Sequence, residues 1–195
     1  MTLSNNTEKL MKEIANSFME IAKKKNYRKI SVSEIMSPLH VSRQSFYYYF
    51  EDVADLINWI NVQSLEVPFQ TFHETKDLSL AYEVALSMYI RDRDFFKNVI
   101  SFVGEGPFEL SMYDKFLEGM LDHIGSRRLN DDERFSADIY LKGIIPVIVN
   151  AIKINKEIDL HKLGEQLCKA LPQNLVKYYD FSGFEVVPDK GSFWR

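Results

Sequence analysis

With 195 residues and a hydrophobic fraction of 46%, the chain can bury a substantial core, which excludes a disordered or collagen-like protein. Its single cysteine, Cys168, excludes an internal disulfide and fits a reducing compartment. The most apolar run, Gly143–Val149, is far shorter than the roughly 20 residues of a membrane span, and no N-terminal signal is visible. We therefore expect a soluble, cytoplasmic protein without a membrane partner.

The net charge of −4 conceals an uneven distribution along the chain. Residues 1–50 contain eight Lys or Arg and four Glu, a net charge of +4, so the remaining residues carry −8. A basic end on an acidic body is the layout expected when one end meets the phosphates of a nucleic acid. A chance asymmetry between solvated faces explains it equally well.

The first two predicted elements are helices. Apolar residues at helical spacing predict an amphipathic helix from about Asn6 to Lys25, carried by Leu10, Ile14, Phe18 and Ile21. Next comes a capping box, in which Ser31 accepts a hydrogen bond from the Glu34 amide and Glu34 reaches back. Because Pro38 lacks a backbone N–H, the second helix should end near Ser37.

A third helix, Arg43–Tyr49, follows with Ser42 as its N-cap, and the two short helices with their tight turn form a helix-turn-helix. At 100° per residue, four side chains share an arc of about 140°: Arg43, Gln44, Tyr47 and Tyr48. The opposite side, toward the core, carries Phe46, Tyr49 and Phe50. An aromatic cluster is usually core, but four consecutive aromatics cannot all face one core.

The exposed face carries groups that suit duplex DNA. Arg43 can bind guanine and Gln44 can bind adenine, each through two hydrogen bonds. Tyrosine hydroxyls more often contact phosphates, and Ser42 and Ser45 are small enough to let the helix approach one closely. The predicted DNA-binding residues are Ser31, Ser42, Arg43, Gln44, Ser45, Tyr47 and Tyr48.

The rest of the chain also has a helical pattern. A fourth helix, capped by Asp52, should end near Pro68. Further helices are predicted at Leu78–Asp92, Asp94–Val103, Phe108–Ile124, Asp132–Lys156 and Asp159–Ala170, with a short segment between Pro172 and Tyr179. We expect an all-α protein with an N-terminal three-helix helix-turn-helix DNA-binding domain (1–60), a C-terminal helical ligand-binding and dimerisation domain (61–180) and an irregular tail (181–195).

Two features of the C-terminal part leave alternatives open. Its recurring aromatic residues either line an effector pocket or form an ordinary core. The segment Gly143–Val149 is too apolar for an exposed helix face, so it is either fully buried or a dimer seam, and we favour the seam. No catalytic, cofactor-binding or metal-ligating pattern is present: His161 and Glu165 are expected to form a solvated pair, and Cys168 is expected to be a small apolar filler rather than a redox sensor.

The segments Ile30–Met36 and Val41–Phe50 resemble the DNA-binding domain of the TetR family, and the likeness extends over roughly residues 8–60. The resemblance implies that Tyr47 binds backbone phosphate and that Arg43, Gln44 and Tyr48 approach bases. It also implies a homodimer on a palindromic operator, paired through helices at about 132–156 and 159–170. A small-molecule effector or a protein co-regulator would control DNA binding.

Two residues depart from the family pattern. The usual glycine of the turn is His40, so the turn must adopt a geometry that a side chain tolerates. The usual lysine at the start of the fourth helix is Val53, beside Glu51 and Asp52, so one phosphate contact is missing. Lys24, Lys25, Arg28 and Lys29 are candidates to replace it.

Within the family, Arg43–Tyr47 together with Leu56–Ile60 resembles the branch that contains activators of dihydroxyacetone-kinase operons, which work with a protein partner. We therefore predict a transcription regulator rather than an enzyme. The alternative is a helical adaptor or coactivator whose DNA binding is weakened by the acids near Val53.

Overall fold

The part of the chain that the computed structural model describes, residues 5–100, 106–125, 129–154 and 157–179, consists of α-helices and short 3₁₀ turns, with no strand. The predicted all-α fold is confirmed. The helices are α1 (Asn5–Ala22), α2 (Val32–Met36), α3 (Arg43–Tyr49), α4 (Val53–Thr75), α5 (Leu78–Arg91), α6 (Arg93–Val99), α7 (Pro107–Ile124), α8 (Asp131–Lys153), α9 (Leu160–Lys169) and α10 (Gln173–Val176). The predicted tail lies outside the described residues.

Helices α1–α3 form an N-terminal three-helix unit around a small apolar core. Phe18 of α1, Ile35 of α2 and Phe46 of α3 are completely buried. The Ser17 hydroxyl donates a hydrogen bond to the Ile35 carbonyl at 2.7 Å, which ties α1 to α2. This unit continues into the start of α4, where Leu56 and Ile57 are buried.

Helix α4 differs from the prediction, because it passes through Pro68 and ends at Thr75. Proline removes one backbone donor from a helix and disturbs the preceding turn. Here Pro68 and Leu65 are buried, and α4 packs along both α5 and α7. Tertiary packing therefore outweighs the local cost of the proline. The predicted domain boundary at residue 60 falls inside this helix, and the division into domains stays a prediction.

Helix α6 also ends earlier than predicted. Ile100 already has an extended backbone (φ −71°, ψ 125°), so the helix stops at Val99 and does not reach Val103. Residues 101–105 lie outside the described residues. Two adjacent buried phenylalanines, Phe95 and Phe96, fix α6 in the core.

Helix α8 begins with a capping box that the sequence analysis did not predict. The Asn130 side chain accepts from the Glu133 amide at 3.0 Å, and Glu133 accepts from the Asn130 amide at 2.8 Å. By length and composition alone α8 could cross a membrane, which is weak evidence, and half of its most apolar window is buried inside the fold.

Helices α5 and α9 approach each other closely at Gly164. A Cβ atom added there would lie 2.8 Å from the Ser79 carbonyl oxygen and 3.2 Å from the Glu83 backbone nitrogen. Contacts under 3.0 Å require something to shift, and both of these atoms belong to backbone. The glycine is therefore needed for packing rather than for its backbone freedom.

We expect Gly164→Ala to lower the free energy of unfolding by about 1–3 kcal/mol, because the methyl group overpacks the α5–α9 contact. Gly164→Val should lower the free energy of unfolding further, because its side chain is larger. Urea denaturation followed by circular dichroism measures both. Replacing a helical glycine by alanine normally stabilises by about 0.5–1 kcal/mol, so a gain in stability would contradict the close approach.

Candidate nucleic-acid interface

Helix α3 begins and ends where the sequence predicted. Ser42 has an extended backbone, and its hydroxyl accepts a hydrogen bond from the Ser45 amide at 3.3 Å. The two hydroxyls also lie 3.1 Å apart and share a hydrogen bond. The N-cap prediction is confirmed, and both serines are held at the exposed start of the helix.

The two faces of α3 are sharply divided. Phe46 and Phe50 are buried and their rings pack together at 5.5 Å, with Trp59 of α4 against Phe50 at 5.9 Å. On the other side Tyr47 is 48% exposed and Tyr48 is 81% exposed. Arg43 and Gln44 are exposed beside them. The predicted division of the aromatic block between core and solvent is confirmed.

Arg43 and Tyr47 form a pair that the sequence reading missed. The Arg43 Nη2 donates to the Tyr47 hydroxyl at 2.9 Å, and the guanidinium lies 5.4 Å from the centre of the Tyr47 ring. Their i, i+4 spacing was the available signal, since such residues are neighbours on a helix. Because arginine has five N–H donors, the pair orients Arg43 and leaves donors for another partner.

Ser31 lies apart from these residues, at the start of α2, where the predicted capping box is confirmed. The Ser31 hydroxyl accepts from the Glu34 amide at 3.3 Å, and Glu34 accepts from the Ser31 amide at 2.9 Å. The Ser31 hydroxyl also donates to Glu34 at 2.9 Å. Its hydroxyl is therefore already engaged within α2.

Lys25 contacts the same carboxylate. Its Nζ lies 2.5 Å from the Glu34 Oε1. The Lys25 ammonium and the hydrogen bonds from Ser31 lower the pKa of Glu34 to about 2. Lys25 was a candidate to replace the missing phosphate contact, but it is occupied by this ion pair. Lys24 and Lys29 are exposed and make no ion pair within the described ranges.

The turn between α2 and α3 keeps a left-handed backbone at His40 (φ 55°, ψ 29°). Histidine is among the non-glycine residues that adopt this region more often than most. The turn therefore has the left-handed conformation that favours glycine, and His40 is a residue that can adopt this conformation.

The start of α4 is acidic, as the sequence predicted. The Asp52 carboxylate accepts from the Asp55 amide at 2.9 Å, so Asp52 caps the helix. Asp55 in turn accepts from the Glu51 amide at 3.0 Å. Val53 is half-buried and offers no charge where a lysine is usual. These acids have a structural role in capping, but they place negative charge next to α3.

His161 and Cys168 lie outside this interface. Among the described residues no group of three His, Cys, Asp or Glu could hold a metal ion. His161 is exposed and pairs with Glu83 at 2.9 Å and with Glu165 at 3.7 Å, so the predicted solvated pair gains a second carboxylate from α5. Cys168 is buried, and burial raises the pKa of its thiol to about 12, which fits an apolar filler.

No protein-family model matches the chain. Over 49 residues it is 41% identical to the HTH-type dhaKLM operon transcriptional activator DhaS of Lactococcus lactis subsp. lactis (strain IL1403). That segment is 25% of this chain and 26% of the relative, so the match spans about a quarter of the length of that protein.

Two solved structures resemble the whole fold. A TetR-family transcriptional regulator from Streptomyces coelicolor superposes with a TM-score of 0.55 at 15% identity, over 91% of this chain and 85% of that one. The chain thus has the fold of TetR-family regulators. The dihydroxyacetone kinase operon activator DhaS superposes with a TM-score of 0.61 at 20% identity, over 87% of this chain and 98% of that one. The predicted resemblance to this family and to its activator branch is confirmed, and the similar proteins are transcription regulators.

The Lys25–Glu34 contact generates a prediction about protonation. Lys25→Ala should raise the pKa of Glu34 from about 2 toward its ordinary value of 4.5, but not fully, because the hydrogen bonds from Ser31 remain. The stabilisation from this carboxylate is present above pH 4.5 and is lost as the pH falls toward 2. A carboxyl-carbon NMR titration measures the midpoint. Lys29→Ala is the control, and an unchanged Glu34 midpoint in Lys25→Ala would refute the assigned cause.

Proposed function

We propose that the protein is a cytoplasmic, homodimeric, DNA-binding transcription regulator whose reading helix is α3. The observation that carries this is the exposed face of Arg43, Gln44, Tyr47 and Tyr48, supported from behind by buried Phe46 and Phe50. A short helix with a polar face outward and an aromatic anchor inward is the arrangement that places side chains in the major groove.

Each exposed group has a role in this proposal. Arg43 and Gln44 read base edges, because each can make two hydrogen bonds to one base. Tyr47 contacts a backbone phosphate, and its hydroxyl accepts a hydrogen bond that orients Arg43. Ser42 and Ser45 bring the start of α3 close to the phosphates, and Ser31 does the same for α2. Tyr48, the most exposed aromatic residue of α3, reaches the groove.

The proposed dimer interface is the outer face of α8. Within the segment Gly143–Val149 the large residues Ile144, Ile145, Ile148 and Val149 are buried inside the chain, and only Gly143 and Pro146 are exposed. Phe135 and Ile139 continue this outer face and are 68% and 55% exposed. An apolar stripe along a helix of 23 residues is costly to leave in water, and a second copy of the chain would cover it.

Helix α9 contributes differently from the expectation of a symmetric four-helix seam. Its buried residues, Leu163, Gly164, Leu167 and Cys168, face α5 within the same chain. The exposed side of α9 is polar and carries His161 and Lys169. In the proposed dimer α8 supplies the apolar contact, and α9 forms a polar rim.

The C-terminal helices contain a cavity where an effector can act. It is bounded by α4, α5, α7 and α8 and lined almost entirely by apolar side chains, including Phe69, Phe116 and Met120. Its lining belongs both to α4, which leads to the reading helix, and to α8. A small apolar effector in this cavity, or a protein co-regulator on these helices, would change the spacing of the two reading helices in the dimer. Half-sites about 34–36 Å apart would then no longer be engaged together.

A second candidate function is a helical adaptor or coactivator that no longer binds DNA. Exposed Glu51 and Asp52 beside α3, together with Val53 in place of a cation, favour it. Acids at this position repel phosphates. The two functions differ in a simple observable, which is binding to duplex DNA that weakens as salt is added.

The regulator should bind a random-sequence duplex with an affinity that falls as the salt concentration rises, and it should select a palindromic sequence from a random library. Arg43→Ala should relax selection at one base pair of each half-site and cost about 1–3 kcal/mol of binding free energy. Electrophoretic mobility shift and library selection measure these effects. Arg91→Ala, an exposed arginine on α5, is the matched control. Absence of any salt-dependent binding by the parent protein would favour the adaptor.

The dimer seam predicts a separate result. Ile139→Lys should convert the protein to monomers while leaving its circular dichroism unchanged, because the charge would be buried between two copies of α8. Sedimentation equilibrium measures the mass. Val67→Lys is the control, because Val67 is 51% exposed on a different helix, α4. A parent protein that is already monomeric, or an equal response to both substitutions, would refute the seam.

A further inference from the structure

One side chain of α6 connects two parts of the chain that are more than seventy positions apart. The Asn98 Nδ2 donates to the Lys25 carbonyl at 2.6 Å and also to the Ala22 carbonyl. Its Oδ1 accepts from the Tyr27 amide at 3.2 Å. Both polar atoms of the Asn98 side chain, through three hydrogen bonds, are therefore committed to the end of α1 and the segment just after it.

This contact supplies what the end of α1 lacks. The last carbonyls of a helix have no partner within the helix and need one elsewhere. Beyond Ala22 the chain turns through Lys23, Lys24 and Lys25, whose amides bond back to Met19 and Ile21. The Ala22 and Lys25 carbonyls are left to Asn98, so a residue of the C-terminal helices caps a helix of the N-terminal three-helix unit.

The neighbours of Asn98 place α6 between the two halves of the fold. Phe95 packs edge-on against Phe18 of α1, with ring centres 5.7 Å apart. Phe96 packs edge-on against Tyr89 of α5 at 4.8 Å and lies 5.5 Å from Phe108 of α7. A displacement of α5 or α7 would therefore reach α6 through packed aromatic rings, and α6 holds the end of α1.

The N-terminal unit and the C-terminal helices are joined covalently by the continuous helix α4. The hydrogen bonds of Asn98 join them at a second place. One helix joining two bodies leaves them free to bend and rotate about that helix. A second contact at a distance from it removes this freedom. The hydrogen bonds of Asn98 are directional, whereas the Phe18–Phe95 contact alone tolerates sliding.

We propose that Asn98 is a positioning residue that sets the orientation of the N-terminal three-helix unit, and with it α3, relative to the C-terminal helices. The positioning itself is independent of any ligand, while its effect on DNA binding rests on the proposed function. Displacing α6 would release the end of α1 and let the reading helix depart from the orientation that DNA requires.

The first test needs no DNA. Spin labels are attached at Asn16→Cys on α1 and Ser87→Cys on α5, both exposed, in a Cys168→Ala background diluted with unlabelled protein. Pulsed electron paramagnetic resonance should give a narrow distance distribution for the parent and a broader or shifted one for Asn98→Ala. Ser17→Ala, which removes one hydrogen bond within the N-terminal unit, is the matched control and should leave the distribution narrow. Identical distributions in the parent and Asn98→Ala would overturn the proposal.

Asn98→Asp provides a second variant of the same shape. The introduced carboxyl keeps the acceptor for the Tyr27 amide but turns its other oxygen toward two carbonyl oxygens, which raises its pKa. When it is protonated, at low pH, it can again donate to one carbonyl, so the distance distribution should narrow as the pH falls. If the substitution only destabilised the fold, the distance distribution would not narrow at low pH. A distribution that stays broad and independent of pH would therefore count against the positioning role.

The second test uses the duplex that the parent protein selects from a random library. Asn98→Ala should weaken binding to it by at least about fivefold, while Ser17→Ala should bind like the parent. A parent that selects no duplex refutes the proposed function, and the spin-label distances still decide the role of Asn98. Normal binding by Asn98→Ala together with a broadened distribution would show that the orientation set by Asn98 does not control DNA binding.

Discussion

Helix α3 has only seven residues, and its position depends on the burial of two aromatic residues, Phe46 within the helix and Phe50 at its C-cap. Phe46 and Phe50 lie in the core of the N-terminal unit, against each other and against Trp59. Isolated helices of this length are unstable in water, so tertiary packing must hold the helix. Because these rings face inward, Arg43, Gln44, Tyr47 and Tyr48 face solvent, and the proposed reading surface is a direct consequence of the aromatic anchor.

Shared helices connect the two ends of the molecule. The N-terminal unit is joined to the C-terminal helices by α4 and by the contacts of α6 with the end of α1. Helix α4 also lines the apolar cavity, as does α8, whose outer face carries the exposed stripe with Phe135 and Ile139. The cavity, the proposed dimer interface and the proposed reading helix are joined by these helices, so small displacements at one can reach the others, because packed cores move between discrete arrangements.

The carboxylates at the start of α4 stabilise the helix but oppose the binding of phosphate. Asp52 and Asp55 satisfy backbone amides at the start of the helix, which stabilises it. The same charges weaken attraction to phosphate. Lys25, which lies in the basic segment after α1, is neutralised by Glu34. The positive charge that this unit offers in the proposed DNA binding is therefore smaller than the count of basic residues suggests, and Arg43 carries more of it.

The local features were predictable from the sequence alone. The caps at Ser31, Ser42 and Asp52, the ends of α3 and the two sides of its aromatic block are marked by residues within four positions of one another, although packing is needed to hold α3 in place. The sequence reading was wrong where distant packing decides, as at Pro68, which stays inside α4 because its neighbours are buried. The glycine contact of α9 with α5 and the hydrogen bonds of Asn98 to the end of α1 had no sequence signal, since their partners are 71–85 positions away and only the folded chain brings them together.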